Sequence, residues 1–240
     1  MVLQGKVIVI VGGATGIGRA TAELCFARGA TAIIADVDAT VGARTATELG
    51  ATFYAVNVLD EASVQTLAAQ LGKAHGRVDV LIQTAGVLRG AYVPLDEFTL
   101  ETFRHVMEVN VTGTFLCVKH IAPLLKQSEH GVILLSSSGA ATHGSSSYAY
   151  GASKGGVSAL GVTLANTLAA DGIRVNVVAP GNIDTAMKRS VIAADAQRRG
   201  ADVEQLVSEA KLGSPAGVAK VLAWLASDDA AYVRGVITTR

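Results

Sequence analysis

The chain has 240 residues, half of them hydrophobic and 17% charged, and its 20 Lys+Arg balance its 20 Asp+Glu. That excludes a disordered chain, which would be poorer in apolar residues and richer in net charge. It also lacks the basic excess of a nucleic-acid binder. The length allows one or two domains and a sizeable core.

In chain order, short apolar runs rich in β-branched residues alternate with helical patterns. Val7–Val11, Ala32–Ala35, Thr52–Val56, Val78–Ile82, Val132–Leu135 and Arg174–Val178 read as strands, with Val236–Thr239 a weaker seventh. Continuously apolar strands belong to a parallel sheet covered on both faces. Helical stretches lie between them, at about 16–28, 38–49, 60–75, 100–126, 148–170 and 215–226. This alternation predicts an α/β fold: a single-domain, doubly wound parallel sheet of about seven strands, Rossmann-like, with helices on both faces. The whole of 1–240 is expected to form one domain. Residues 182–214 make a long connection with patchy helical periodicity, expected to be a substrate-side lid. The helix at 100–126 carries apolar side chains over more than one stripe, so it is expected to be buried on several sides in a homo-oligomer.

Cys25 and Cys117 are too few for a disulfide framework, and each sits in an apolar helical stretch. Together with an N-terminus that lacks signal-peptide character, they predict a reducing, cytoplasmic setting. No apolar run reaches the ~18 residues of a membrane span. No Cys/His cluster suggests a metal.

The first strand runs into Gly12-Gly13-Ala14-Thr15-Gly16-Ile17-Gly18, which opens a helix. Glycine is needed there to admit a pyrophosphate and to let the helix pack on the strand. The strand–turn–helix context lifts this above an isolated glycine motif. The second strand ends at Asp36, where a carboxylate can accept both adenosine ribose hydroxyls and would repel a 2′-phosphate. Asp38 can cap the following helix, which leaves Asp36 for the ribose and favours NAD over NADP. Further on, Tyr150 and Lys154 are four apart and share a helix face, whereas Tyr148 has no lysine at that offset. A neighbouring ammonium is expected to lower the phenol pKa from its usual ~10. Asn110 interrupts a mainly apolar stripe of Phe103, Val106, Gly113, Cys117 and His120, so its amide requires partners.

Gly12-x3-Gly16-x-Gly18 together with Tyr150-x3-Lys154 resembles the single-domain short-chain dehydrogenase/reductase family over nearly the whole chain. Asn110 matches its helix asparagine, and Pro180-Gly181 with Thr185 matches its P-G-x-x-x-T stretch. The resemblance implies hydride transfer between NAD(H) and an alcohol or ketone. Tyr150 would be the acid/base, and Lys154 would hold the nicotinamide ribose. A serine would orient the substrate oxygen, and Asn110 would maintain a water relay. The implied dinucleotide set is Gly12, Thr15, Gly16, Ile17, Gly18, Asp36, Asn57, Val58, Ala85, Gly86, Tyr150, Lys154, Pro180, Gly181, Ile183 and Thr185. It also implies a dimer or tetramer.

Three serines compete for the substrate-orienting role. Counting from Gly131 and Ile133, and back from Gly144, selects Ser138; counting back from Tyr150 selects Ser137. Two anchors favour Ser138, with Ser137 in reserve. The chain departs from the family at Val11, at Gln83-Thr84 in place of Asn-Asn, and at Asn57 in place of Asp. The Gln83-Thr84 change bears on the support of the central sheet. Val87, Leu88, Tyr92, Ser145, Ser146, Ser147 and Met187 are expected to face a mostly apolar, small or medium substrate. Two other readings stay open: an NAD-dependent epimerase or dehydratase, and a non-catalytic dinucleotide-binding scaffold.

Overall fold

The computed structural model describes residues 3–239. Seven strands form one parallel sheet: β1 (Val7–Val11), β2 (Thr31–Asp36), β3 (Thr52–Ala55), β4 (Val80–Gln83), β5 (Val132–Ser136), β6 (Arg174–Ala179) and β7 (Gly235–Thr238). Their order is β3-β2-β1-β4-β5-β6-β7. The direction of winding reverses between β1 and β4, and at such a switch point the carboxyl ends of the strands leave a crevice.

The run Val-Ile-Val-Ile-Val of β1 shows why the sheet is covered twice. Val7, Val9 and Val11 enter one apolar cluster and Ile8 and Ile10 the other, because successive side chains point to opposite faces. The first cluster is closed by α3 (Glu61–His75), α5 (Gly113–Leu125) and α7 (Tyr148–Thr167). The second is closed by α1 (Gly16–Ala27), α2 (Ala39–Leu49) and α10 (Pro215–Leu225). Cys25 and Cys117 lie one in each cluster, and burial pushes both thiols up to about 12. No helix among the described residues is long and apolar enough to cross a membrane.

Three local features differ from the expected pattern. First, β4 starts at Val80 rather than Val78. The reason is Asp79, whose carboxylate takes the amide of Val7 at 2.7 Å and the hydroxyl of Ser128 at 2.6 Å. Second, the helix at 100–126 is unbroken but not α-helical throughout. It comprises α4 (Leu100–Met107), a π-helical turn (Glu108–Thr112) and α5. Single π turns mark places where a side chain is held out of the α register. Here that side chain is Asn110. Third, most of 182–214 is helical, as α8 (Ala186–Arg199) and α9 (Val203–Glu209). Thr185 and Asp202 cap them by accepting the amides of Lys188 at 3.2 Å and Gln205 at 2.8 Å. A short helix, α6 (Ala140–His143), follows the three serines.

Candidate active site

A cleft of about 1000 Å³ opens at the carboxyl ends of the strands, lined from the glycine turn through Asp36 to Tyr150 and α8. Its dinucleotide end is built by close approach. Gly12 has φ +82°, and a Cβ there would lie 2.4 Å from the Ala85 amide nitrogen. A Cβ on Gly18 would lie 2.1 Å from the Gly12 carbonyl oxygen. These two glycines seat α1 against the ends of β1 and β4. Gly16 differs, since a Cβ there would meet only Thr185, at 3.4 Å.

The N-terminus of α1 is uncapped by any side chain, with Thr15 in extended conformation and no acidic residue in the first turn. By contrast, α2 and α3 are capped by Asp38 and Asp60. Free amides at a helix start that lines a cleft suit an anion. The cradle therefore fits a dinucleotide pyrophosphate on its own geometry.

Asp36 ends β2 beside this turn and lines the cleft. Its carboxylate accepts the amides of Ala14 at 3.0 Å and Asp38 at 3.1 Å. As expected, the cap of α2 is Asp38, which accepts the Val41 amide at 2.9 Å. A carboxylate has roughly four acceptor positions, so two amides orient Asp36 without exhausting it. Asn57 has its Oδ1 on the Leu59 amide at 3.1 Å, which aims its Nδ2 elsewhere. Ile17, Val58, Ala85, Gly86, Pro180, Gly181, Ile183 and Thr185 all line the same cleft.

At the other end, α7 brings Tyr150 and Lys154 against the end of β5. The Lys154 Nζ is 5.5 Å from the Tyr150 ring centroid and donates to the Ser136 carbonyl at 2.8 Å. Burial lowers the Lys154 ammonium to about 8. Burial pushes the Tyr150 phenol above its ordinary value, against an opposing hydrogen bond from Ser138. This corrects the expectation that Lys154 depresses the phenol: in this pocket the lowering partner is Ser138, and loss of phenolate solvation outweighs it. Gly86 leaves little room here: a Cβ would lie 3.2 Å from Asn110 Oδ1 and 3.4 Å from Lys154 Nζ.

The two candidate serines have different environments. Ser137 is buried, donates to the Lys154 carbonyl at 2.8 Å and pairs with the Ser158 hydroxyl at 2.8 Å. Its hydroxyl ties β5 to α7. The Ser138 hydroxyl instead accepts the Ala140 amide at 3.2 Å and donates to the Pro180 carbonyl at 3.5 Å, at the lining of the cleft that also holds Tyr150. Asn110, also buried, clamps the backbone of Val87 from both sides. It accepts the amide at 2.8 Å and donates to the carbonyl at 2.9 Å, with Ser153 as a third partner at 2.9 Å. This satisfies the amide that the apolar stripe made costly, and it fixes the loop after β4.

Thr84 replaces the family asparagine at the sheet centre. Its hydroxyl donates to the carbonyls of Val11 at 2.9 Å and Gly12 at 3.2 Å, so a shorter side chain supplies the cross-strand support. Of the expected substrate-side residues, Val87, Leu88, Tyr92, Ser145, Ser146 and Met187 line the cleft. Ser147 does not. It is fully buried, caps α7 through the Tyr150 amide and donates to the Arg89 carbonyl at 2.7 Å. Sequence reasoning did not anticipate Arg89, His105, Val109, Lys188 and Val191, which also line the cleft. Lys188 and Val191 had a signal, since both fall in the connection expected to form a lid.

A family model described as enoyl-(acyl carrier protein) reductase matches residues 12–239, nearly the whole chain. The chain belongs to the short-chain dehydrogenase/reductase family. As a member it is an oxidoreductase that binds a nicotinamide dinucleotide and acts on small molecules. It is 36% identical to tropinone reductase-like 2 of Erythroxylum coca, over 98% of this chain and 88% of that protein. It is 38% identical to cis-4-hydroxycyclohexanecarboxylate dehydrogenase of Sinomonas cyclohexanicum, over 97% and 93%. To 3-oxoacyl-(acyl-carrier-protein) reductase of Escherichia coli it is 35% identical, over 98% and 95%. Among solved structures, gox2181 superposes with a TM-score of 0.88 at 27% identity, covering 99% of this chain and 94% of that one. A structure described as ribose-5-phosphate isomerase from Brucella melitensis 16M also superposes with a TM-score of 0.88, at 30% identity, covering 98% and 91%. One fold thus accompanies differently described activities, so the reaction has to be argued from the site.

Proposed function

We infer that this family member is an NAD-dependent dehydrogenase/reductase for a small or medium alcohol or ketone with a mostly apolar frame. The observation that carries the reading is that Ser138, Tyr150 and Lys154 line one cleft with the uncapped start of α1, the Lys154 ammonium lying 5.5 Å from the Tyr150 ring centroid. The bound dinucleotide supplies the hydride acceptor or donor. Tyr150 takes the proton of the substrate hydroxyl in oxidation and returns one to the carbonyl oxygen in reduction. Ser138 donates to that same oxygen and stabilises the charge that develops on it. Lys154 would hold the nicotinamide ribose, and Asn110, fixed by Val87 and Ser153, would maintain the water relay. Residues 182–214 would close over the substrate as a lid on a single catalytic domain. Two buried, unpaired thiols suit a reducing cytoplasm.

The test is a nicotinamide absorbance screen of secondary alcohols and ketones with both cofactors. Turnover with NAD(H) supports the reading, and no turnover of any pair with either cofactor overturns it. Cofactor choice is carried by Asp36. Asp36→Ala should weaken NAD binding and narrow its advantage over NADP, as read by titrating both cofactors into both proteins. Equal affinity of the wild type for NAD and NADP would refute that assignment.

Assembly as a homo-oligomer, dimer or tetramer, is supported by Phe115 on α5 and Val162 on α7, exposed to 45% and 47%. Light scattering at micromolar concentration should give at least twice the chain mass. A monomer would contradict the expectation.

A further inference from the structure

The wall of the cleft formed by α8 has a charge pattern that hydride transfer itself does not explain. Positions 188, 191, 195 and 198 form one stripe along the helix, spaced by three or four residues. Lys188 and Val191 line the cleft. The Asp195 charge acts on both the Lys188 ammonium and the Tyr92 phenol, and the Arg198 guanidinium lies 5.0 Å over the Tyr92 ring. The stripe therefore faces Tyr92, on the loop that follows β4. Thr185, at the start of α8, packs instead against Gly16 at the phosphate end. Lys188 lies one turn along, on the stripe that leads to Tyr92.

The carboxylates of this segment are already engaged. Arg189 holds Asp184 with a two-pronged contact at 2.6 and 2.9 Å, and Asp195 is held by Arg198 at 2.7 Å and Arg199 at 3.3 Å. Among the described residues, no carboxylate oxygen forms a salt bridge with the half-buried Lys188 ammonium. Burial lowers its pKa, which is the signature of a cation short of solvation. Among the described residues, the one acidic side chain lining the cleft is Asp36, at the adenosine end, whereas Arg89, Lys154 and Lys188 line the rest. Met187 and Val191 flank Lys188 along α8, and Val87 and Leu88 add apolar surface to the same cleft.

We propose that the Lys188 ammonium receives a carboxylate carried by the substrate, which makes the substrate an oxo or hydroxy acid with an apolar frame. The proposal rests on reading the cleft as a hydride-transfer site, and it names the substrate class for that site. An anion beside a partly desolvated ammonium restores the interaction lost to burial, and the apolar wall takes the carbon frame.

Calorimetric titration in the presence of NADH tests this without turnover, using cyclohexanecarboxylate and its neutral match cyclohexanecarboxamide. The wild type should bind the carboxylate roughly tenfold more tightly than the amide, as expected for a hydrogen bond to a charged group. In Lys188→Met, which keeps an unbranched apolar stem, that ratio should fall to near one, and Lys188→Arg should restore part of it. Equal affinities in the wild type, no binding of the carboxylate, or an unchanged ratio in Lys188→Met would each overturn the proposal. A variant that loses NADH affinity while keeping the ratio would also overturn it, and would assign the ammonium to the dinucleotide phosphates. If the wild type discriminates but no alcohol or ketone is turned over, the hydride-transfer reading fails and the carboxylate site stands.

Discussion

Tyr150→Phe should lower turnover by roughly 10²–10⁴-fold, the usual contribution of a positioned general acid/base. The change removes one oxygen and leaves the ring that packs beside Lys154, so the melting temperature and NAD affinity should stay near those of the wild type. The direction of the Tyr150 pKa sharpens the expectation. Burial holds the phenol above its ordinary value, so the protonated form dominates near neutral pH in the cofactor-free protein. A proton is then ready for reduction, whereas oxidation needs the phenolate and should gain rate as pH rises. Ser138→Ala removes the hydrogen bond that opposes the upward shift. It should move the ascending limb of the oxidation profile to higher pH, as well as lower turnover. Steady-state rates against pH, in both directions, check all three statements. Near-normal turnover of Tyr150→Phe would move the acid/base role to another group.

Gly18→Ala should damage both stability and dinucleotide binding, although it adds one methyl group and requires no unusual backbone angle. The new Cβ would lie 2.1 Å from the Gly12 carbonyl oxygen and 2.7 Å from the Thr84 hydroxyl. Neither neighbour is a flexible side-chain end. The Gly12 carbonyl belongs to the turn itself, and Thr84 is held by its bonds to Val11 and Gly12. To relieve the overlap, α1 must move away from β1, which takes its free amides out of place. Overpacking of this kind typically costs ~1–3 kcal/mol, and each kcal/mol lowers the melting temperature of a chain this size by ~2–4 °C. A thermal melt and an NAD titration read the two effects. Wild-type values in both would show that the turn is looser than this geometry requires.

Much of this protein is determined by local pattern. The run Val7–Val11 needs no partner to announce a strand covered on both faces, because its alternate side chains are all apolar. The glycine turn declares itself by its place between that strand and a helix. Tyr150 and Lys154 share a helix face by spacing alone. Other properties depended on the tertiary structure. Counting along the chain gave two answers for the serine, because loop length enters the count. The environments of the hydroxyls differ: Ser137 is tied to Ser158, 21 residues away, while Ser138 accepts the Ala140 amide and donates to the Pro180 carbonyl. The helix at 100–126 looked uniform, but the backbone of Val87 draws the Asn110 side chain towards it across 23 residues of sequence, and a π turn surrounds that residue. The direction of the Tyr150 pKa reversed the expectation drawn from Lys154 at four residues' distance, because burial is a sum over neighbours from many elements. Lys188 reads as an ordinary helix lysine until α8 is laid against the loop carrying Tyr92 and the neighbouring acids are seen to be taken by arginines. Periodicity encodes which face of an element is apolar; which charge is left without a salt bridge is fixed only when distant elements meet.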